Sequence, residues 1–156
     1  MNKNLLKEAL LESIDNDIEA AIEAAKAAQE SASHKDNQPE NQYDTLSLEA
    51  AYLAHGQSER ILQLQNERIR VAKWEVKLFD ETDTIAIGAL VKLLAQGGDS
   101  HRWVWIARTG GRKLQHADGE VQVVSDQAPL ALQLTGKEVG DEISLAGQDW
   151  EIDLIY

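Results

Sequence analysis

Two carboxylate residues flank a proline in the break between two helical segments of the sequence. Asp36 and Glu40 lie in the stretch His34–Asn41, where Pro39 lacks a backbone donor and disfavours helical geometry at the residue before it. Carboxylates at the end of a helical hairpin could complete the coordination of a divalent cation that a partner holds, because Mg²⁺ takes oxygen ligands, often only one or two of them protein carboxylates. A solvated acidic loop has the same composition, so the pattern alone leaves both interpretations open.

The sequences on either side of this break are predicted to form two helices. Leu5 to about Ser31 contains no Gly or Pro and is rich in Ala, Glu and Leu, which favours helix. A second helix is predicted from Leu46 to about Leu78. Neither helix can bury its apolar seam alone, so we expect them to pair as an antiparallel coiled-coil hairpin.

Apolar residues at three- and four-residue steps predict which face of each helix is buried. In the first helix the predicted seam is Leu11, Ile14, Ile18, Ala21, Ala25 and Ala28. In the second helix it is Leu48, Ala51, His55, Leu62, Ile69, Ala72 and Val76. A second, less regular apolar stripe of the same helix includes Leu53, Leu64 and Val71.

The second half of the sequence changes to short apolar runs separated by glycine-containing turns. Strands are predicted at 84–95, 101–108, 121–124 and 150–156, and a short helix near 128–134. The predicted fold class is therefore α+β. A helical hairpin covers residues 1–78 with its tip at 34–45, and an antiparallel β domain with a short helix covers residues 79–156.

Charge and composition exclude several classes of protein. A net charge of −12 argues against direct binding of duplex DNA or of an anionic membrane surface. The absence of cysteine excludes disulfides, thiolate metal sites and a cysteine nucleophile. The opening residues lack the apolar core of a signal peptide, and no stretch approaches the roughly 20 apolar residues of a membrane span. We therefore expect a cytoplasmic protein.

The most specific stretch of the sequence runs from Ser125 to Ile143 and contains Pro129 and the loop Gly136-Lys137-Glu138-Val139-Gly140-Asp141. It resembles the C-terminal domain of the bacterial Gre (GreA/GreB) transcription elongation factors. In that family a Pro-led short helix, a Gly-Lys-Glu-x-Gly-Asp loop and two closing strands recur in this order within an FKBP-like fold. The break between the helices is similar to the Gre tip motif, Asp-x-x-Glu-Asn followed by Tyr, through Asp36, Glu40, Asn41 and Tyr43. Residues 41–54 indicate a divergent branch of the family.

The resemblance implies a regulator of RNA polymerase rather than an enzyme. In Gre factors the hairpin enters the secondary channel of the polymerase, its tip acids help to hold the second catalytic Mg²⁺, and the C-terminal domain contacts a coiled coil at the channel rim. Asp36 and Glu40 would then act in trans on the Mg²⁺ of the polymerase, with no cofactor or metal bound by the chain alone. Asp126 and Pro129 are the expected polymerase contacts.

Whether the protein activates or inhibits transcription stays open at this point. The three-residue step from Asp to Glu in the family motif lands on Pro39 here, so Glu40 matches only if one residue is inserted. A shifted second carboxylate would hold the metal poorly. The resemblance is therefore compatible with a factor that stimulates transcript cleavage and with an inhibitor that occupies the secondary channel.

Functions from other classes also remain as hypotheses. One is a coiled-coil adaptor without a polymerase role, and another is a prolyl isomerase, suggested by the FKBP-like fold together with Trp103, Trp105 and Trp150. We expect these tryptophans to pack in the core, because a fold does not specify a function.

The histidines and a basic cluster complete the candidate residues. His34, His55, His101 and His116 have no metal-like spacing, so packing or surface roles are expected. The basic cluster is Arg102, Arg108, Arg112 and Lys113. We expect it to form a solvated face of a β-hairpin, and the alternative is that it contacts nucleic acid or an acidic protein surface.

Overall fold

The computed structural model describes residues 2–33, 45–98 and 100–156. The helices of these ranges are α1 (Lys3–Ser33), α2 (Thr45–Lys73) and α3 (Pro129–Leu134). The strands are β1 (Leu90–Ala95), β2 (His101–Ala107), β3 (Arg112–His116), β4 (Gly119–Ser125), β5 (Glu142–Leu145) and β6 (Gln148–Ile155). In these ranges no helix is long and apolar enough to cross a membrane.

The chain divides into two compact units. The helical unit is Leu11–Ala72, and the β unit combines Met1–Leu10 with Lys73–Tyr156. Ten residues at the start of the sequence therefore belong to the same unit as the sheet.

An ion pair joins the two long helices within the helical unit. Arg68 donates through Nε and Nη2 to the two carboxylate oxygens of Asp15, and the Nη2–Oδ2 distance is 3.0 Å. The hydrogen bonds from the guanidinium lower the pKa of the Asp15 carboxyl. This contact joins the first half of α1 to the second half of α2, which is the arrangement of an antiparallel pair. The predicted helical hairpin is confirmed.

The buried face of α1 agrees with the predicted seam. Ile14 is fully buried and Ala21 nearly so, while Ile18 is half-buried. Leu10 rather than Leu11 is the fully buried residue one turn before Ile14.

The predicted seam of α2 is wrong. Leu48, Leu62 and Ile69 are 55%, 60% and 49% exposed, whereas Leu64 and Val71 of the second stripe are buried. The physical reason is the rotation of the helix about its axis. Arg68 lies four residues after Leu64 and three before Val71, so the face that turns these two inward also directs Arg68 to Asp15.

The six strands of the β unit form one sheet in the order β3-β4-β2-β1-β6-β5. Four of the neighbouring pairs are antiparallel, as predicted, but β2 and β4 are parallel. The difference arises because β3 turns back at Asp118-Gly119 into β4, and β4 then lies between β3 and β2. The predicted strand at 84–95 also begins later, since a turn from Ala86 to Ala89 with Gly88 at φ +100° precedes β1.

The two faces of the sheet are both covered near the central strands. On one face Val91 and Leu93 of β1 and Ile106 of β2 pack with Ala131 and Leu134 of α3. On the other face Trp105 stacks on Trp74, with ring centroids 5.3 Å apart. The expectation that the sheet tryptophans pack in the core is confirmed, because Trp103, Trp105 and Trp150 are at most 6% exposed.

A buried lysine connects the start of α1 to the sheet. Lys3 is 3% exposed, and its Nζ donates to the carbonyls of Lys77, Gly88 (3.1 Å) and Tyr156 (2.8 Å). The ammonium also lies 4.8 Å from the centre of the Phe79 ring. Burial lowers the pKa of Lys3 to about 8, and the positive charge of Lys77 acts in the same direction.

The corrected seam predicts opposite results for two isoleucines of the hairpin. Ile14→Asp should lower the free energy of unfolding by several kcal/mol, because an unpaired carboxylate would be buried. Ile69→Asp should lower it by less than about 1 kcal/mol, since the new side chain reaches water. Urea denaturation followed by circular dichroism measures both. Equal losses would show that Ile69 of α2 is buried as fully as Ile14 of α1.

A second prediction concerns the pH dependence of stability. Between the folded pKa of Lys3, about 8, and the unfolded value, about 10.4, the unfolded chain binds more protons than the folded chain. The free energy of unfolding should therefore rise with pH in this window by up to about 3 kcal/mol, relative to Lys3→Met, in which this titration is absent. Denaturation of both proteins at several pH values measures the difference. Parallel stability curves would contradict the lowered pKa.

Candidate functional site

The predicted site residues fall in two parts of the chain. The tip acids Asp36 and Glu40, together with Pro39 and the tip histidine His34, lie outside the described residues. The predicted polymerase contacts Asp126 and Pro129 lie in the β unit, where their geometry is described.

Asp126 lies in a tight turn between β4 and α3. The backbone N–H of Ala128 donates to the carbonyl of Ser125 at 3.0 Å, which places Asp126 and Gln127 at the centre of the turn. Gln127 Nε2 donates to Asp126 Oδ2 at 3.3 Å. Pro129 follows as the first residue of α3, where its fixed φ suits a helix start and its missing N–H costs nothing.

Helix α3 is short and has one buried and one exposed face. Ala131 and Leu134 are fully buried in the core, whereas Pro129 and Gln133 are exposed and Leu132 is 60% exposed. The backbone N–H of Leu132 donates to the carbonyl of Ala128 at 3.0 Å, and this hydrogen bond holds the first turn of the helix. An apolar pair therefore lies on a rigid helix next to the acidic turn. We call Asp126, Gln127, Pro129 and Leu132 the Pro129 surface.

The glycine loop that follows α3 is held by backbone hydrogen bonds. Gly136 and Gly140 have φ of +82° and +88°, which favours glycine at both positions. Gly136 N donates to Ile85 O, and Gly140 N donates to Ile152 O, both at 2.8 Å. The Asp141 carboxylate accepts the N–H of Glu138 at 2.9 Å. These motif residues fix the loop that closes the β unit beside α3.

A groove of about 520 Å³ runs beside the acidic turn. Ser125 and Ala128 line it together with residues 110–113 and 122–124. Gly110 lies against the backbone of β4, because a Cβ atom at this position would be 2.5 Å from the Ser125 nitrogen. The segment before β3 therefore lies directly against the start of the turn.

Four of the other candidate residues have local partners in the part of the chain that the structure describes. His55 Nε2 lies 3.6 Å from Glu59 Oε1, and His116 Nδ1 lies 3.2 Å from Asp118 Oδ2. Arg102 lies over the Trp150 ring, and Lys113 pairs with Glu120 at 2.8 Å. Among the described residues, no group of three or more His, Asp or Glu side chains could hold a metal ion.

No family model matches the sequence, and no curated protein matches it either. Solved structures do match. Gfh1, a GreA factor homolog from Thermus thermophilus, is 17% identical with a TM-score of 0.39, and the alignment covers 94% of each chain. Gfh1 from Thermus aquaticus is 18% identical with a TM-score of 0.39, covering 96% of this chain and 95% of that one. A GreA/GreB elongation factor from Nitrosomonas europaea is 16% identical with a TM-score of 0.36. The alignment covers 64% of this chain and 89% of that one.

Leu132 is the residue of the Pro129 surface that the sequence does not reveal. It lies in the run Leu130-Ala131-Leu132-Gln133-Leu134, where apolar residues occupy several faces of a short helix. Periodicity cannot separate buried from exposed positions over so few residues. Only the packing of Ala131 and Leu134 against the sheet leaves Leu132 outside.

Proposed function

We propose that this protein is a transcription elongation regulator that binds RNA polymerase through its β unit. The observation that carries the proposal is the Pro129 surface, where Pro129 and Leu132 are exposed on a helix whose other face is locked into the core. The motif around Pro129 is the one that resembles the polymerase-contacting segment of Gre factors.

The chemistry of the Pro129 surface suits a helical partner. Pro129 and Leu132 offer apolar contact, and Asp126 offers a carboxylate to a basic side chain at the edge of that contact. Because α3 is anchored by Ala131 and Leu134, its side chains are positioned before binding, which lowers the entropic cost of association. A coiled coil at the rim of the polymerase channel is the partner that the resemblance suggests.

In this proposal the helical hairpin delivers Asp36 and Glu40 to the catalytic Mg²⁺ of the polymerase. The protein has no metal of its own and is not an enzyme, does not bind duplex DNA directly, and works in the cytoplasm. The position of Pro39 between the acids leaves two outcomes, stimulation of transcript cleavage or inhibition of the polymerase by occupation of its channel.

A coiled-coil adaptor is the alternative, and one observation favours it. Leu48, Leu62 and Ile69 lie exposed along α2, a pattern that helical partners often cover. An adaptor would bind a partner through α2 and would be indifferent to changes at the Pro129 surface. The first experiment below separates the two functions.

Leu132→Asp should weaken binding to core RNA polymerase at least tenfold, because it places a charge in the apolar part of the Pro129 surface. Leu78→Asp is the matched control, since Leu78 is 80% exposed and lies outside that surface. Affinity is measured with the full-length chain, because residues 1–10 belong to the β unit. If wild type binds and Leu132→Asp binds equally well, the assigned surface is wrong. If wild type does not bind polymerase, the adaptor is favoured.

Removing the negative charges of Asp36 and Glu40 should separate binding to polymerase from the effect on transcription. The double variant Asp36→Asn, Glu40→Gln keeps side-chain size and should retain affinity for polymerase within a few-fold. It should lose any effect on transcript cleavage or nucleotide addition, because neutral amides are weaker ligands for Mg²⁺ than carboxylates. A transcription assay on stalled complexes measures this. A double variant with full effect would show that the hairpin acts by filling the channel.

A further inference from the structure

Helix α2 has an exposed stripe on the side opposite its buried face. Leu62 and Ile69 each lie two residues before a buried residue, Leu64 or Val71, and two residues correspond to about 200° around a helix. The stripe follows alternating four- and three-residue steps, which is the spacing of a coiled-coil seam. We call it the α2 stripe, and its members, all exposed, are Leu48, Tyr52, His55, Glu59, Leu62, Asn66, Ile69 and Lys73. Helix α2 therefore presents a second seam that α1 does not cover.

The α2 stripe is complementary to a second copy of itself that runs in the opposite direction. When Tyr52 faces Ile69 of the second copy, every position of one stripe faces a position of the other, and the arrangement has two-fold symmetry. Tyr52 and Ile69 then form two apolar layers, and the two Leu62 side chains lie close to the symmetry axis between them. The remaining layers pair Leu48 with Lys73, His55 with Asn66 and Glu59 with Leu62. The polar layers lower the affinity but fix the register.

Two charged residues at one edge of the α2 stripe favour the antiparallel orientation. Glu49 follows Leu48 and Arg70 follows Ile69, so both lie on the same edge, three heptads apart. Both are exposed, and neither forms an ion pair within the part of the chain that the structure describes. In the antiparallel register Glu49 of each copy lies beside Arg70 of the other, whereas a parallel pair would place like charges at the same level.

A groove in the first half of α2 is shaped to receive this arginine. It has a volume of about 450 Å³ and is lined by Glu49, Tyr52, Leu53, Gly56 and Gln57. The first four of these residues have the spacing of the hole that a coiled-coil helix offers to a side chain of its partner. Among the described residues, no atom lies within 4 Å of a Cβ built on Gly56, so the groove is open on that side. The stem of Arg70 of the second copy can lie against the Tyr52 ring while its guanidinium pairs with Glu49.

We propose that two copies of this chain form a symmetric antiparallel dimer through the α2 stripe. The net charge of −12 repels the two copies over long distances, so the attraction has to come from the local contacts on α2. An isologous contact of this kind uses the same surface on both copies and therefore stops at two chains. The Pro129 surface belongs to the β unit, so the dimer does not depend on the proposed function.

Sedimentation equilibrium of the full-length chain alone tests the dimer. The wild-type mass should rise from monomer to dimer with concentration. Leu62→Asp should weaken the dimer at least tenfold, because it places two carboxylates near the symmetry axis. Leu78→Asp is the matched control and should leave the dimer unchanged, since Leu78 is 80% exposed and lies outside α2. A wild-type chain that stays monomeric up to about 1 mM, where even weak complexes form, would overturn the proposal.

Charge reversal tests the register. Glu49→Lys and Arg70→Glu should each weaken the dimer about tenfold, because each replaces two attractive contacts with two repulsive ones. Mixing these two variants should restore association, since both contacts in the mixed dimer are again between opposite charges. Glu19→Lys makes the same change in net charge at an exposed position of α1 and should not weaken the dimer. If Glu49→Lys associates as tightly as Glu19→Lys, the antiparallel register is wrong.

Discussion

Three backbone carbonyls converge on the ammonium group of Lys3, and the β unit is organised around this contact. The carbonyls belong to Lys77, Gly88 and Tyr156, so one side chain joins the start of α1 to the segment after α2, the approach to β1 and the end of β6. The Gly88 carbonyl also accepts the Trp105 indole N–H. A buried charge is tolerated only when polar groups replace its water. These carbonyls replace part of it, and burial still lowers the pKa of Lys3 to about 8. The residues that precede the helical unit are therefore structural members of the β unit.

The same sheet offers different chemistry on its two faces. Beneath α3 the face is wholly apolar, which fixes the short helix and leaves Pro129 and Leu132 outside. The opposite face is sealed by Trp74 over Trp105, but further along β2 it opens into the cavity at Trp103. The two faces of the sheet therefore differ in what covers them, a short helix on one side and the Trp74 ring on the other.

Helix α2 shows how a long-range contact decides between two local solutions. Its sequence has two apolar stripes at helical spacing, and either could form the seam of a hairpin. Burial of Leu64 and Val71 is coupled to the Arg68–Asp15 ion pair, because all three α2 residues lie on one face. The more regular stripe, with Leu62 and Ile69, remains exposed.

The sequence by itself determined the two long helices, the α+β class and the short helix that begins at Pro129, because each follows from periodicity, helix propensity or a local turn signal. The tertiary structure alone decided which stripe of α2 is buried, the parallel pairing of β2 with β4, and the inclusion of residues 1–10 in the β unit. Each of these depends on residues far apart in the sequence, such as Lys3 and Tyr156, whose contacts leave no periodic pattern. The same holds for the proposed contact surface. Its motif around Pro129 is visible in the sequence, whereas the exposure of Leu132 follows only from the packing of Ala131 and Leu134 in the core.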